Sequence, residues 1–208
     1  MIPTNALSTT LVYGRFLSPD NLPISDFVDS ELGGIGLSDP SQGLMYQVWT
    51  ASLVGIPGEV GTSVVVEAPN TPTQLLFALD SLIAISLSFD QNMHPFIAYA
   101  TVSGAGIWWY DATLPGQRFT ALPAGSSVPK CSLDDKRPLA TLTSSSDIVV
   151  AYIRDDNFYY RQERDRYLTE RLLLPDVSTY LLAPKVGKVG MTNVGRVQFY
   201  LYGSLLPP

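Results

Sequence analysis

The chain reads Phe96-Ile97-Ala98-Tyr99, then a turn, then Ile107-Trp108-Trp109-Tyr110, and a similar unit follows roughly 50 residues later. The later unit reads Val149-Val150-Ala151-Tyr152, a turn, and Asn157-Phe158-Tyr159-Tyr160. Short runs of β-branched and aromatic residues on both sides of a turn predict antiparallel hairpins. A repeat of this length that contains only strands is typical of propeller-like blades, with a β-sandwich or another antiparallel sheet as the alternative.

Strand patterns continue on both sides of these hairpins, so the predicted fold class is all-β, built from antiparallel hairpin repeats. The predicted strands cover residues 45–54, 63–68, 74–78, 83–89, 95–102, 107–110, 148–154, 158–163, 186–191 and 196–202. Turn residues separate them, among them Ser103-Gly104-Ala105-Gly106 and Asp155-Asp156-Asn157. Residues 161–174 have a helix-like composition. Because an aromatic strand precedes them, we favour a charged turn near Arg164-Asp165 and a further strand through residues 166–169.

Residues 1–43 differ from the rest and are predicted to form an extended N-terminal arm, whereas residues 44–208 form the β domain. The arm contains four prolines and a glycine cluster, at Pro3, Pro19, Pro23, Pro40 and Gly33-Gly34-Ile35-Gly36. Such a composition indicates irregular backbone. One interpretation is a loosely ordered terminus. The other is an arm that docks on a neighbouring molecule, because its aromatic and aliphatic residues exceed those of a disordered tail.

The composition predicts a surface that faces other protein. Of 208 residues, 46% are hydrophobic and only 15% are charged, which is below the roughly 25% charged fraction of ordinary soluble domains. The centres of protein interfaces are likewise poor in charge and rich in aromatic residues. The formal net charge of −6 argues against a nucleic-acid partner, since a sequence-independent grip needs clustered Lys and Arg.

No export signal and no membrane span are predicted. Met1-Ile2-Pro3-Thr4-Asn5 has neither the basic start nor the apolar block of a secretory signal. The most apolar stretch, residues 75–89, is interrupted by Asp80 and is shorter than the ~20 residues that span a bilayer. Cys131 is the only cysteine, so an intrachain disulfide is excluded. We expect its thiol to be buried.

The residue types of an active site are scarce, so we predict neither an enzyme nor a cofactor or metal site. With one cysteine and one histidine, His94, the chain cannot build a metal cluster on those residues. No glycine-rich phosphate loop occurs. Asp134 and Asp135 are adjacent, so on a strand they would point to opposite faces, unlike a glycosidase pair. Lys136 and Arg137 follow directly and favour a solvated turn with local ion pairs.

Two groups of residues are candidate interaction sites. Trp108 and Trp109 take opposite faces of a strand, and at least one face is expected to be core or subunit interface, with a sugar-stacking platform as the alternative. The other group alternates in charge and consists of Arg161, Glu163, Arg164, Asp165 and Arg166. It is either a solvated edge, whose exposed pairs contribute ~0–1 kcal/mol each, or a contact that sets the register with a neighbouring copy.

A string of short motifs runs through roughly residues 40–200. They are Ser41-Gln42-Gly43-Leu44, Leu87-Ser88-Phe89-Asp90-Gln91-Asn92-Met93, Pro95-Phe96-Ile97-Ala98, Trp109-Tyr110-Asp111, Leu133-Asp134-Asp135-Lys136-Arg137, Ala151-Tyr152, Tyr159-Tyr160-Arg161-Gln162 and Arg164-Asp165-Arg166. Through these motifs the chain resembles a family of tailed-bacteriophage virion structural proteins. The resemblance implies a location in the virion more than a mechanism, and it supplies no catalytic residues.

The function expected from this resemblance is that of a structural, tail-associated subunit of a bacteriophage virion, assembled in the host cytoplasm. Such a subunit forms a ring or connects tail parts through its hairpins and arm. The expected partners are other virion proteins and copies of the chain itself. The alternative is a carbohydrate-binding or carbohydrate-cleaving receptor module of the same particle.

Overall fold

The computed structural model describes residues 31–37, 46–56, 58–67, 72–90, 94–134, 147–191 and 197–205, which fold mainly as antiparallel β-strands. The prediction of an all-β fold is therefore confirmed. The fourteen strands are β1 Glu31–Leu37, β2 Tyr46–Val54, β3 Thr62–Glu67, β4 Gln74–Leu79, β5 Leu82–Phe89, β6 Pro95–Thr101, β7 Gly104–Tyr110, β8 Gln117–Ala121, β9 Lys130–Asp134, β10 Asp147–Arg154, β11 Asn157–Gln162, β12 Arg171–Leu174, β13 Leu181–Met191 and β14 Val197–Leu205. Two short 3-10 helices, Glu163–Asp165 and Val177–Thr179, lie on either side of β12.

The strands form four sheets in chain order. The first sheet contains β1–β4, the second β5–β8, the third β9–β12 and the fourth β13 and β14. Each of the first three is a simple meander in which every strand pairs antiparallel with the next. The first strands of successive sheets are neighbours, since β1 lies beside β5, β5 beside β9 and β9 beside β13. The described residues thus form several antiparallel sheets that follow one another in chain order.

Three hydrophobic cores lie between successive sheets. The first contains Ala51, Val64, Val66, Phe77, Leu82, Ile85, Leu87, Phe89, Ile97, Tyr99 and Trp108. The second contains Phe96, Ala98, Ile107, Trp109, Leu122, Cys131, Ile148, Val150, Tyr152 and Tyr167. The third contains Ala151, Ile153, Phe158, Val177 and Val186. The second and third sheets each contribute to two cores, so their central strands are buried on both faces.

The hairpin turns follow local backbone preferences. Asp155 and Asp156 both have positive φ, 48° and 59°, and connect β10 to β11 as a two-residue turn suited to twisted strands. The turn between β6 and β7 differs from the prediction, because Thr101 pairs with Gly104 and only Val102 and Ser103 lie between the strands. Gly106 is instead a strand residue. A Cβ at that position would overlap the Tyr99 hydroxyl.

The strand-turn-strand prediction for residues 161–174 is confirmed, but the second strand begins later than predicted. A 3-10 turn follows β11, and β12 starts at Arg171, because Arg166 and Tyr167 adopt left-handed φ values of 56° and 61° that no strand accommodates.

Residues 31–37 of the predicted arm form β1, which pairs antiparallel with β2. The rest of the predicted arm, residues 1–30 and 38–43, lies outside the described residues, as do Asp135, Lys136 and Arg137.

Candidate functional site

The charged segment after β11 reverses the chain against the second core. Arg166 and Tyr167 are consecutive left-handed residues, a conformation that side chains other than glycine and asparagine rarely adopt. Burial of the Tyr167 ring accompanies this unusual backbone, since the residue is fully buried. Its ring meets Trp109 edge to face, with centroids 5.0 Å apart, and lies 5.5 Å from Phe96. The turn therefore anchors the third sheet to the second.

Asp111 receives the Arg166 side chain at this junction. Its side chain is only 1% exposed, and its Oδ2 lies 2.5 Å from Arg166 Nη2 and 3.4 Å from Arg118 Nε. Its Oδ1 accepts hydrogen bonds from the Thr113 hydroxyl at 2.6 Å and the Thr113 backbone N–H at 2.9 Å. The Thr113 hydroxyl, helped by Arg166, holds the pKa of Asp111 below its ordinary value against the opposing effect of burial. The carboxylate is thus charged at neutral pH and links two sheets.

Arg161 joins a second polar network within the third sheet. Its Nε donates to the Tyr152 hydroxyl at 2.9 Å and its Nη1 to the Tyr167 carbonyl at 2.7 Å. The Tyr152 hydroxyl in turn donates to Glu170 Oε1 at 2.8 Å, and Arg154 Nη2 donates to Glu170 Oε2 at 2.8 Å. Desolvation of the buried phenol is the main cause that raises the pKa of Tyr152. The network keeps the Tyr152 hydroxyl hydrogen-bonded inside the second core.

The remaining acidic residues of the charged segment also bind groups of their own chain. Glu163 Oε2 accepts a hydrogen bond from the Ile148 backbone N–H at 3.1 Å. Asp165 Oδ2 forms an ion pair with Arg171 Nη2 at 2.7 Å. Arg164 is exposed. The contacts given above for the charged segment thus lie within one chain, and the hypothesis that the segment sets the register between copies stays a prediction.

Trp108 and Trp109 are buried on opposite faces of β7. Trp108 is 7% exposed and packs in the first core, 5.1 Å from the ring of Phe77. Trp109 is 5% exposed and packs in the second core, where its Nε1 donates to Thr120 Oγ1 at 2.9 Å. Neither indole presents a face to a sugar in this structure. These two side chains connect the second sheet to both of its neighbours.

His94 forms a local site with two neighbours that the sequence analysis did not group. Its Nδ1 lies 2.7 Å from Asp90 Oδ2, and its backbone N–H donates to Asp90 Oδ1 at 2.8 Å. The imidazole stacks on Tyr110 at 3.8 Å with an interplanar angle of 15°. The spacing of four residues between Asp90 and His94 was the signal available in the sequence. These contacts link Asp90, after β5, and His94, before β6, to Tyr110 at the end of β7.

Cys131 is buried between neighbouring first strands, as expected for its thiol. Its Sγ lies 3.2 Å from the Ser86 carbonyl oxygen and 3.5 Å from Ser86 Oγ, and its backbone N–H donates to Ser86 Oγ at 3.2 Å. Burial raises the pKa of Cys131 to about 11. The thiol is therefore protonated at neutral pH and joins β9 to β5.

The described side chains of the fourth sheet form a largely apolar outer face. In antiparallel pairs, residues directly opposite each other share a face, and Leu182 and Lys185 lie opposite Ser204 and Tyr202. Val186 lies on the other face, in the third core. We name the outward set Leu182, Lys185, Tyr200 and Tyr202 the C-terminal end face. Leu182 is 60% and Tyr202 62% exposed.

The first sheet has a corresponding outer face. Val64 and Val66 point into the first core, so Val65 and Glu67 on the same strand point away from it. Leu75 lies opposite Val65, and Val54 belongs to the same outward set because it lies opposite Ser63. We name Val54, Val65, Glu67 and Leu75 the N-terminal end face. Val54 is 54% and Leu75 66% exposed.

A third apolar surface forms where three connections meet at one end of the first two sheets. Gly58 N donates to the Leu82 carbonyl, Ser81 N to the Glu59 carbonyl and Val102 N to the Ser81 carbonyl. The exposed side chains at this end are Ile56, Val60, Ile83 and Val102. Backbone hydrogen bonds thus hold several apolar side chains together at the surface.

Across the ranges that the structure describes, no group of three or more His, Cys, Asp or Glu side chains is placed to hold a metal ion. Among the same residues, no helix has the length and hydrophobicity needed to cross a membrane. No protein-family model, curated protein or solved structure matches this chain.

Proposed function

We propose that this chain is a structural subunit of a bacteriophage virion, tail-associated and assembled in the host cytoplasm, that forms a ring or connects tail parts. The observation that carries the proposal is the pair of exposed apolar end faces on the first and fourth of the four sheets. Interior sheet faces pack on their neighbours, whereas Leu75 and Leu182 are largely exposed. Exposed apolar patches on a folded domain mark interaction sites. The resemblance of the short motifs to tailed-phage structural proteins and the low charge content support the same function.

The polar groups at the sheet junctions support a structural role. Arg166 pairs with Asp111 across the second and third sheets, and Arg161 and Glu170 both bind the Tyr152 hydroxyl. These contacts hold the sheets in position and give buried polar atoms hydrogen-bond partners. A buried polar atom without a partner destabilises the folded state. Rigid sheets with apolar outer faces suit a subunit whose task is to hold neighbours in place.

A carbohydrate-binding or carbohydrate-cleaving receptor module of the same particle is the less supported alternative. This alternative was suggested by Trp108 and Trp109 as a sugar-stacking platform, and both side chains are buried in cores. A sugar site needs exposed aromatic faces, and among the described residues the exposed aromatic side chains are Phe119, Tyr180, Tyr200 and Tyr202. We therefore keep the structural role as the proposal.

The proposal is tested by locating the chain in purified particles. Virions are isolated by density gradient from cells that produce the phage encoding this chain, and the chain is quantified by mass spectrometry beside a known capsid protein. Labelling with an antibody and electron microscopy then shows its position. We expect a fixed copy number per virion and label at the tail. Recovery of the chain only in the soluble lysate fraction would contradict the proposal.

A further inference from the structure

Within the chain each sheet packs on the sheets before and after it, and this pattern ends at the first and fourth sheets. Each of the second and third sheets is covered on one face by the preceding sheet and on the other by the following sheet. The first and fourth sheets are covered on one face by their single neighbour. The contacts between first strands run in the same order, from β1 to β5 to β9 to β13. Among the residues that the structure describes, no further sheet packs on the two end faces, one at each end of the series.

The two end faces are complementary in chemistry. The N-terminal end face carries the exposed carboxylate Glu67 among the apolar residues Val54, Val65 and Leu75. The C-terminal end face carries the exposed ammonium Lys185 beside Leu182 and Tyr202. A flat aromatic ring on one face and small aliphatic side chains on the other suit sheet-on-sheet packing. Opposite charges at the contact favour pairing of unlike faces over pairing of like faces.

We propose that copies of this chain associate head to tail, with the C-terminal end face of one copy packed on the N-terminal end face of the next. This inference deepens the proposed structural function and rests on it for its biological meaning. The occupant of each end face is thus a second copy of the chain. The contact continues between copies the same order of sheets that packs within one copy.

Head-to-tail contacts have a defined consequence for assembly. Because the two faces differ, an open assembly leaves one end face of each kind free, one at each of its ends. Such heterologous interfaces generate a ring if the rotation between copies closes, and an open filament if it does not. We therefore expect a substitution that blocks either end face to stop growth of the assembly. A symmetric dimer uses the same face on both copies, so blocking the other face would leave that dimer intact.

The deciding experiment uses two blocked full-length variants. Leu182→Asp places a charge on the C-terminal end face, and Leu75→Asp places one on the N-terminal end face. Both positions are largely exposed, so both variants are expected to fold, which circular dichroism checks. Each variant is studied alone and in an equimolar mixture by analytical ultracentrifugation at high protein concentration. If Leu182→Asp disturbs folding, Lys185→Glu blocks the same face with a milder change.

Head-to-tail association predicts that wild type forms oligomers, that each variant alone is monomeric, and that the mixture forms a one-to-one dimer through the two intact faces. A Leu75→Asp sample that still dimerises alone overturns the proposal in favour of a symmetric contact between C-terminal end faces. Monomers in every sample also overturn it. Association that appears only after deletion of residues 1–30 overturns it too, because that segment would then be the occupant.

A charge exchange tests the register of the same contact. Lys185→Glu or Glu67→Lys alone should raise the dissociation constant at least about tenfold, because each places like charges together. The double variant restores opposite charges and should recover most of the loss. No recovery would contradict the proposed pairing of these two side chains. If the chain is monomeric in solution yet present in virions, this inference fails while the proposed function stands. If the chain associates head to tail in solution yet is absent from virions, the proposed function fails while the association stands.

Discussion

The interior sheets and the end sheets of this protein carry different sequence patterns. Strand β6 in the second sheet is buried on five consecutive residues, Phe96 to Ala100, whereas β3 in the first sheet alternates between buried and partly exposed positions. Burial on both faces requires apolar residues at successive positions, and burial on one face requires them at alternate positions. The number of covered faces of a sheet can therefore be inferred from the periodicity of apolar residues in its strands. The same periodicity indicates which faces remain available to partners.

The largest expected effect comes from truncating an interior side chain and comparing it with an end-face side chain. Trp109→Ala removes a buried indole from the second core together with its hydrogen bond to Thr120. We expect it to lower the free energy of unfolding by about 3–5 kcal/mol. Leu75→Ala on the N-terminal end face should change it by no more than about 0.5 kcal/mol. Urea denaturation of the two variants beside wild type measures both values.

Equal losses in these two variants would contradict the distinction between covered and uncovered faces. The measurement is made on the monomer at low concentration, because association would add stability to wild type. Trp108→Ala provides a second interior test in the first core. It should resemble Trp109→Ala rather than Leu75→Ala, since Trp108 is also buried.

The next effect concerns the buried carboxylate between the second and third sheets. Asp111→Asn keeps the shape but removes the charge that Arg166 and the Thr113 hydroxyl stabilise. We expect a loss of about 1.5–3 kcal/mol at neutral pH, the range for hydrogen bonds to charged groups. Arg118→Ala is a useful companion, because its Nε is farther from Asp111, at 3.4 Å, and should cost less. Chemical denaturation at pH 7 gives both losses.

The pH dependence of the same site has a definite sign. The pKa of Asp111 is lowered in the folded chain from its ordinary value near 3.8, so the folded state favours the ionised carboxylate. Its contribution to stability is present above the ordinary value and is lost as the pH falls through the lowered folded pKa. Wild type should therefore lose more stability than Asp111→Asn between pH 5 and about 2. Parallel curves for the two proteins would argue against this coupling.

A smaller effect on stability is expected from substitution of Gly106, with Gly104 of the same strand as the control. Gly106→Ala would place a methyl group against the Tyr99 hydroxyl and within 3.0 Å of the Thr120 carbonyl oxygen. The forced shift should cost about 1–3 kcal/mol, as for overpacked cores. Gly104→Ala is the matched control, because nothing lies within 4 Å of a Cβ at that position. Thermal unfolding should show a lower midpoint only for Gly106→Ala; similar midpoints would mean that Tyr99 moves aside without cost.

Much of the fold could be predicted because its signals are local. Alternation and apolar runs located ten of the fourteen described strands, but missed β1, β8 and β9 and placed β12 too early. Asp155-Asp156 marked the β10–β11 turn because aspartate tolerates positive φ. The glycine cluster at Gly33, Gly34 and Gly36 was assigned to the arm, yet it lies in β1. Glycines in a strand allow close approach of backbones, and β1 packs beside another first strand, β5.

The junction between the second and third sheets could not be predicted from the sequence. Asp111 and Arg166 are 55 positions apart, and no local pattern connects a carboxylate at the end of one strand with an arginine after another. Tyr167 likewise gave no sign that it would enter the second core, because its left-handed backbone is imposed by tertiary packing. The charged segment was recognised as important, but its partners within the chain required the fold.

The smallest expected effect on stability, Arg164→Glu, decides which surface carries association. Arg164 is exposed on the 3-10 turn, so reversing its charge should change the free energy of unfolding by no more than about 1 kcal/mol. If copies associate through the end faces, its oligomerisation should equal that of wild type, whereas Lys185→Glu should weaken it. If the charged segment sets the register between copies, Arg164→Glu should instead dissociate the oligomer while the monomer melts unchanged. Sedimentation of both variants at matched low and high salt separates these outcomes, because the turn contact would be purely electrostatic and would weaken with salt. The largely apolar contact between end faces should weaken less with salt, since only its Glu67–Lys185 pair is screened.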